Sequence, residues 1–169
     1  MTSRTGRGRA LDHWPVRVLM RRSEIDRGAW SYPRWELTGI LPDPDPPPGR
    51  VSRVVHETDR TLDLEWIGLS IPLFRDAAES YWYNLVGREP SLFVICRAGT
   101  DIDLEPFLVT ANYDEAGAHM EADDQVLATP LPQAFGPALE QFVMQHYRPE
   151  PPRKRQRTRW SDDESPTGE

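Results

Sequence analysis

The sequence predicts an α+β domain with a largely antiparallel β-sheet, packed by a C-terminal amphipathic helix. Between residues 61 and 71, apolar side chains alternate with acidic or small ones, which is the period of a half-buried strand. Residues 92–96 form an unbroken apolar run whose length favours a central strand covered on both faces. Residues near the end of the chain follow a helical period: Phe135, Ala138, Leu139, Phe142, Val143 and His146.

The length of 169 residues allows one domain of about 130 residues with tails at both ends. We expect a disordered leader at 1–13, the α+β domain at 14–147, and a disordered tail at 148–169 that is first basic and then acidic. No apolar run approaches the roughly 18 residues that span a bilayer, and residues 1–14 lack the apolar core of a signal peptide. These features predict a cytoplasmic protein.

The first elements along the chain are predicted to be strands. Residues 16–20 alternate in period two, and a second strand follows within 29–41, where Pro33 favours an edge position or a bulge. The proline-rich segment 43–49 is predicted to be an extended connector, with an SH3-type ligand as the alternative. A short strand at 51–56 then leads through a turn at 58–60 into the central stretch.

A helix is predicted after Pro72, with Asp76 at its first turn and Gly87 at its end. Its apolar face would consist of Ala78, Tyr81, Trp82, Leu85 and Val86.

The second half of the domain begins with a predicted antiparallel pair, in which a turn at 99–103 joins strands at 92–97 and 104–111. Residues 112–122 remain ambiguous, and 126–131 favour a last short strand. The final helix is predicted over 131–147, with Pro137 ending its first turn or bending it. A sheet rolled up and plugged by this helix, as in pleckstrin-homology-like domains, is one architecture that fits.

Charge is divided unevenly along the chain, whose net charge is −7. Residues 1–50 carry nine arginines against six acidic residues, residues 51–147 carry five against sixteen, and residues 148–169 carry six basic residues against five acidic ones. An acidic body of this kind repels nucleic acid over most of its surface.

Metal, cofactor and nucleotide sites find no support in the sequence. The four histidines stand far apart without the spacing of zinc ligands, and no glycine-rich phosphate-binding motif is present. Cys96, the only cysteine, lies in an apolar run and is predicted to be a buried thiol. We therefore predict no metal site, no cofactor and no catalytic residue.

One acidic cluster is an alternative candidate site. Asp101, Asp103 and Glu105 alternate, so on a strand they would share one face and could form a cation site or an acid–base pair. A solvated turn is the commoner role for such a cluster, so an enzyme is the less favoured class.

The basic C-terminal run is the strongest local feature, and its candidate partner-binding residues are Arg153, Lys154, Arg155, Arg157, Arg159 and Trp160. Three interpretations stay open: phosphate contacts with Trp160 stacking on a base, docking on an acidic protein surface, or a solvated linker. Residues 162–164, which are all acidic, follow immediately and could neutralise the run.

The order of several segments resembles the bacterial family known as domain of unknown function 3305. The resemblance covers residues 14–159 and rests on VLMRRSEID at 18–26, the pair Trp30 and Trp35, PLFRDAAESYWYNL at 72–85, PSLFVICR at 90–97 and EPFLVTANYDEA at 105–116. It continues through TPLP at 129–132, FVMQHY at 142–147 and the KRQR run, whereas the insert at 43–49 and the acidic end depart from it.

The resemblance implies a context and no catalytic residue. Genes of this family often lie near those for formate dehydrogenase and its molybdenum-cofactor maturation. The resulting hypothesis is a non-catalytic, protein-binding accessory protein that assists a molybdenum-dependent formate dehydrogenase by binding a subunit or its chaperone. Nucleic-acid binding through the tail is the first alternative, and an enzyme with an unrecognised carboxylate site is the second.

Overall fold

The computed structural model describes residues 8–150. Within that range the strands are β1 (Asp12–Arg27), β2 (Trp30–Pro42), β3 (Val51–Glu57), β4 (Thr61–Leu73), β5 (Ser91–Arg97), β6 (Glu105–Thr110) and β7 (Gln125–Pro130). The helices are α1 (Ala78–Val86), α2 (Tyr113–Glu121) and α3 (Gly136–His146).

These strands form two antiparallel sheets, in the orders β2-β1-β4-β3 and β6-β5-β7. The predicted α+β class and antiparallel pairing are thereby confirmed. The strands divide between two hydrogen-bonded sheets, of four and three strands, and the analogy with pleckstrin-homology-like domains stays a prediction. β2 lies at an edge, as Pro33 indicates.

β1 is much longer than the predicted strand at 16–20. It begins at Asp12, so residues 12 and 13 of the expected leader are part of the sheet, and it continues to Arg27, which pairs with Trp30 across a tight turn. Gly28 occupies that turn with a φ of 64°, a conformation that glycine adopts without strain. Beyond Ser23, β1 pairs with β2 alone, because its pairing with β4 stops there.

The sequence predicts that β4 has one buried apolar face and one solvated acidic face, and the structure differs from this expectation. Leu64 and Trp66 are buried as predicted, but Glu65 on the opposite face is also buried. Arg17 of β1 and Arg53 of β3 both form ion pairs with the Glu65 carboxylate and cover it. Neighbouring strands therefore supply the counter-charges that a buried carboxylate requires.

β5 is the central strand of the second sheet, which confirms the interpretation of its apolar run. Leu92, Val94 and Cys96 face the main core, which they share with the first sheet, α1 and α3. Phe93 and Ile95 face the opposite way and pack with Ala116 of α2. Because α2 covers the second face, both sets of side chains are removed from water.

The ambiguous segment at 112–122 forms helix α2. Asn112 caps it by accepting hydrogen bonds from the backbone N–H groups of Asp114 and Glu115 through its Oδ1 atom, at 3.0 and 3.2 Å. Asp76, in contrast, forms no side-chain cap on α1 and lies in a short 3₁₀ turn before it.

The final helix begins later than predicted, at Gly136 and not near residue 131. Pro137 therefore lies in the first turn, where its missing N–H has no intrahelical partner to lose, and it does not bend the helix. Phe142 and Val143 are buried on the inward face, as the helical period predicts.

Candidate functional site

The predicted tail residues Arg153, Lys154, Arg155, Arg157, Arg159 and Trp160 lie outside the described residues. The tail site therefore stays a prediction, and the candidate site that the structure describes lies within residues 8–150.

The predicted carboxylate cluster is not assembled into one site. Asp103 accepts a hydrogen bond from Nε of Arg22 at 2.7 Å, and this contact lowers the pKa of the Asp103 carboxyl. Glu105 is in β6 opposite Arg97, while Asp101 is exposed in the preceding bend. Of the three, only Asp103 lines the adjacent hollow of about 340 Å³.

Cys96 is fully buried, and burial raises the pKa of its thiol to about 12. The thiol is therefore protonated at neutral pH and behaves as a small apolar group. Across residues 8–150, no three or more histidine, cysteine, aspartate or glutamate side chains are placed so that they could hold a metal ion.

The feature that stands out is an apolar groove between α1 and α3. We call it the α1–α3 groove; its volume is about 210 Å³ and it is lined by Trp82, Leu85, Val86, Glu140, Val143 and Met144. Three of its apolar side chains face solvent: Trp82 is 41% exposed, Val86 53% and Met144 83%. Exposed apolar side chains grouped in one concave place mark an interaction surface more often than scattered ones do.

The walls of the groove are fixed by the packing beneath it. Tyr81 of α1 meets Phe142 of α3 edge to face, with ring centroids 5.9 Å apart. The indole of Trp82 stacks on Tyr147, just beyond α3, at 6.1 Å. The start of α1 and the end of α3 line one hollow, whereas the end of α1 lies beside Glu140, nearer the start of α3. The two helices therefore run antiparallel.

That hollow is larger, about 880 Å³, and mostly polar, and two of its lining residues, Tyr83 and Gln145, directly follow the groove residues Trp82 and Met144 in the chain. Its charged residues are Arg75, Asp76, Glu79, Arg148 and Glu150. The pKa of the Tyr147 phenol is raised, first by desolvation and then by the nearby Tyr83 and Glu79. Within the described range, the hollow and the groove together present four carboxylates and two guanidinium groups, so this part of the described surface is acidic.

Aromatic side chains extend the surface towards α2. Tyr83 borders the large hollow and also a further hollow of about 380 Å³, whose other wall includes Tyr113. Both tyrosines are well exposed. Tyrosine is common at interfaces because it combines a rigid apolar ring with a hydroxyl.

Sequence reasoning missed this surface because it assigned Trp82 and Val86 to the buried face of α1. The observed inward residues of this helix are Ala78, Tyr81 and Asn84. A signal was present: the predicted apolar stripe held five of the nine residues of α1, more than one contact face can bury.

Comparison with known proteins places the chain by family alone. Residues 15–157 match the family model described as Protein of unknown function (DUF3305). No curated protein and no solved structure matches the chain. Among residues 8–150, none of the helices combines the length and the apolar character needed to cross a membrane.

Proposed function

The chain belongs to the DUF3305 family of proteins of unknown function, and from this premise we propose that it is a non-catalytic accessory protein that binds another protein in the cytoplasm. The proposed binding surface is the α1–α3 groove together with the aromatic side chains around it.

One observation carries this proposal: Trp82, Val86 and Met144 are exposed side by side along one groove. Keeping such side chains in water is unfavourable by about 25 cal/mol for each Å² of apolar surface, and a partner that covers them recovers that free energy. Aromatic residues and methionine are enriched in protein interfaces for this reason.

The partner that we propose is a subunit of a molybdenum-dependent formate dehydrogenase, or a chaperone of that enzyme. Its support is the family resemblance, because genes of the family often lie near those of formate dehydrogenase. An accessory protein needs a docking surface and no reaction centre, and the groove provides such a surface.

The basic tail is a proposed second contact. Its residues at 153–160 could dock on an acidic surface of the partner or bind nucleic acid. We favour the protein contact, because residues 51–147 carry five arginines against sixteen acidic residues and would repel a phosphate backbone.

A pair of matched valine variants tests the proposed surface. Val86→Glu places a charge in the groove, whereas Val55→Glu places one on β3 at a valine of similar exposure, 59% against 53%. Tagged full-length chains are purified from bacterial cells that produce a molybdenum-dependent formate dehydrogenase. We expect the wild type and Val55→Glu to retain an enzyme subunit or its chaperone, and Val86→Glu to retain about tenfold less.

Recovery of the wild-type chain alone would refute the proposed partner. Equal retention by the two valine variants would refute the groove as the binding surface.

A further inference from the structure

The α1–α3 groove has the form of a helix-binding site. Two antiparallel helices leave a trough between them, and a third helix packs into such a trough by setting its side chains between theirs. The volume of about 210 Å³ is on the scale of large apolar side chains. Trp82 and Val86, four residues apart on α1, form one wall, and Met144 of α3 stands on the other.

An extended peptide suits this groove poorly. Strand addition requires unpaired backbone N–H and C=O groups along the edge of a sheet. The walls of the groove are helices, and the backbone N–H groups of the lining residues are bonded within each helix, so they offer no row of donors to an extended chain. Strand addition would suit β3 better, since β3 is an edge strand of the first sheet and all its residues are exposed.

Charge indicates the chemistry of the partner. Among residues 8–150, Glu140 is the only charged residue that lines the groove. The larger hollow adds Asp76, Glu79 and Glu150 against Arg75 and Arg148, so carboxylates outnumber guanidinium groups on that side of the groove, its acidic border. Lysine and arginine on a partner helix would pair with this border, and like-charged flanks would be repelled.

The same charges disfavour a second copy of this chain as the occupant. A two-fold symmetric contact brings the same patch of each copy together. Glu140 of one copy would then approach the border of the other, where carboxylates outnumber Arg75 and Arg148, and this like-charge contact costs binding free energy.

We propose that the α1–α3 groove binds an amphipathic helix whose apolar stripe is flanked by lysine and arginine, because apolar walls and an acidic border are placed together there. This inference rests on the proposed function, since it names the kind of partner segment that the same surface recognises.

Three synthetic peptides of about 18 residues, long enough to form a helix on binding, test this chemistry. The first has leucines at helical spacing flanked by lysines, the second replaces the lysines by glutamates, and the third has the composition of the first with alternating leucines. Each is titrated into the purified full-length chain, and the heat of binding is measured. We expect the lysine peptide to bind at least about tenfold more tightly than either control.

Variants of the chain then locate the site. Trp82→Ala removes an apolar wall without changing the charge, and Trp30→Ala is its matched control, since Trp30 lies at the exposed β1–β2 turn. We expect Trp82→Ala to weaken binding of the lysine peptide by about tenfold and Trp30→Ala to leave it unchanged. Glu140→Lys should weaken it about two- to fivefold, because it reverses one exposed charge.

Equal binding of the lysine and glutamate peptides would overturn the inference, and so would absence of binding or equal effects of the two tryptophan variants. A chain that sediments as a dimer, and as a monomer after Val86→Glu, would also overturn it by showing a second copy in the groove. If the lysine peptide binds as expected but no formate dehydrogenase component is retained in cells, the proposed partner falls and this inference stands. If an enzyme component is retained through the groove but the peptides do not differ in affinity, the proposed partner stands and this inference falls.

Discussion

Replacing Phe142 by alanine is expected to lower the free energy of unfolding by about 3 to 5 kcal/mol. The side chain is only 7% exposed and lies on the inward face of α3. Its ring contacts Tyr81 of α1 edge to face and His146 at 4.5 Å between ring centroids. Truncation leaves a cavity between the two helices that their backbones cannot close, so both burial and packing are lost.

Urea denaturation of the full-length chain, followed by tryptophan fluorescence, measures this loss. Met144→Ala is the matched control, because Met144 lies two residues further along the same helix and is mostly exposed. We expect that control to change stability by no more than about 0.5 kcal/mol. Similar losses for the two variants would show that the assignment of the two faces of α3 is wrong.

Asn84→Ala is expected to lower the free energy of unfolding by about 3 kcal/mol. The buried amide donates from Nδ2 to the backbone carbonyls of Ser91 and Ala111 at 2.8 and 2.9 Å. Its Oδ1 accepts from the backbone N–H of Ser91 at 3.0 Å. Alanine would leave three backbone groups without a partner at the junction of α1, β5 and the end of β6, and each such buried group is costly.

The same denaturation experiment compares Asn84→Ala with Tyr83→Ala. Tyr83 precedes Asn84 on α1 and faces solvent, so Tyr83→Ala should lower the free energy of unfolding much less than Asn84→Ala does. An Asn84→Ala variant as stable as Tyr83→Ala would show that the hydrogen bonds of the amide to Ser91 and Ala111 do not stabilise the fold.

Asn84 also shows where sequence reasoning about α1 stops. A periodicity argument counts apolar residues, so it placed Trp82 and Val86 inside and ignored a polar residue. The inward position belongs to Asn84 because backbone groups of Ser91 and Ala111 need partners there. These partners come from distant parts of the chain, and a local pattern contains no information about them.

The burial of Glu65 also depends on residues from distant parts of the chain, so the local pattern does not predict it. Alternation along β4 correctly places it opposite the apolar face, but whether that face is wet depends on what lies above it. Arg17 and Arg53 come from the two strands that pair with β4, and their long side chains cover the carboxylate. Predicting this requires the strand order, which alternation does not provide.

The elements that the sequence predicts well have a strong local signal. The apolar run 92–96 is covered on both faces. Of the predicted stripe on α3, Leu139, Phe142 and Val143 are buried, whereas Ala138 is exposed. The expectation that Pro137 ends the first turn or bends the helix depends on where the helix begins, and the structure places this proline in the first turn. The predicted tail site at 153–160 lies outside the described residues and stays a prediction.

α3 thus combines two roles on two faces. Phe142 faces the core and stabilises the domain, while Met144 faces solvent beside Trp82 and Val86. Substitutions on the inward face of α3 should therefore destabilise the fold, whereas substitutions on its outward face should remove binding and leave the fold intact.

Site-specific photo-crosslinking tests the docking surface most directly. A photoreactive amino acid replaces Met144 in the groove or, as the control, Val55 on β3, in full-length chains made in cells that produce a molybdenum-dependent formate dehydrogenase. We expect light to link position 144, and not position 55, to an enzyme subunit or its chaperone. A crosslink to that partner from position 55 alone, or equal crosslinking from both positions, would contradict it.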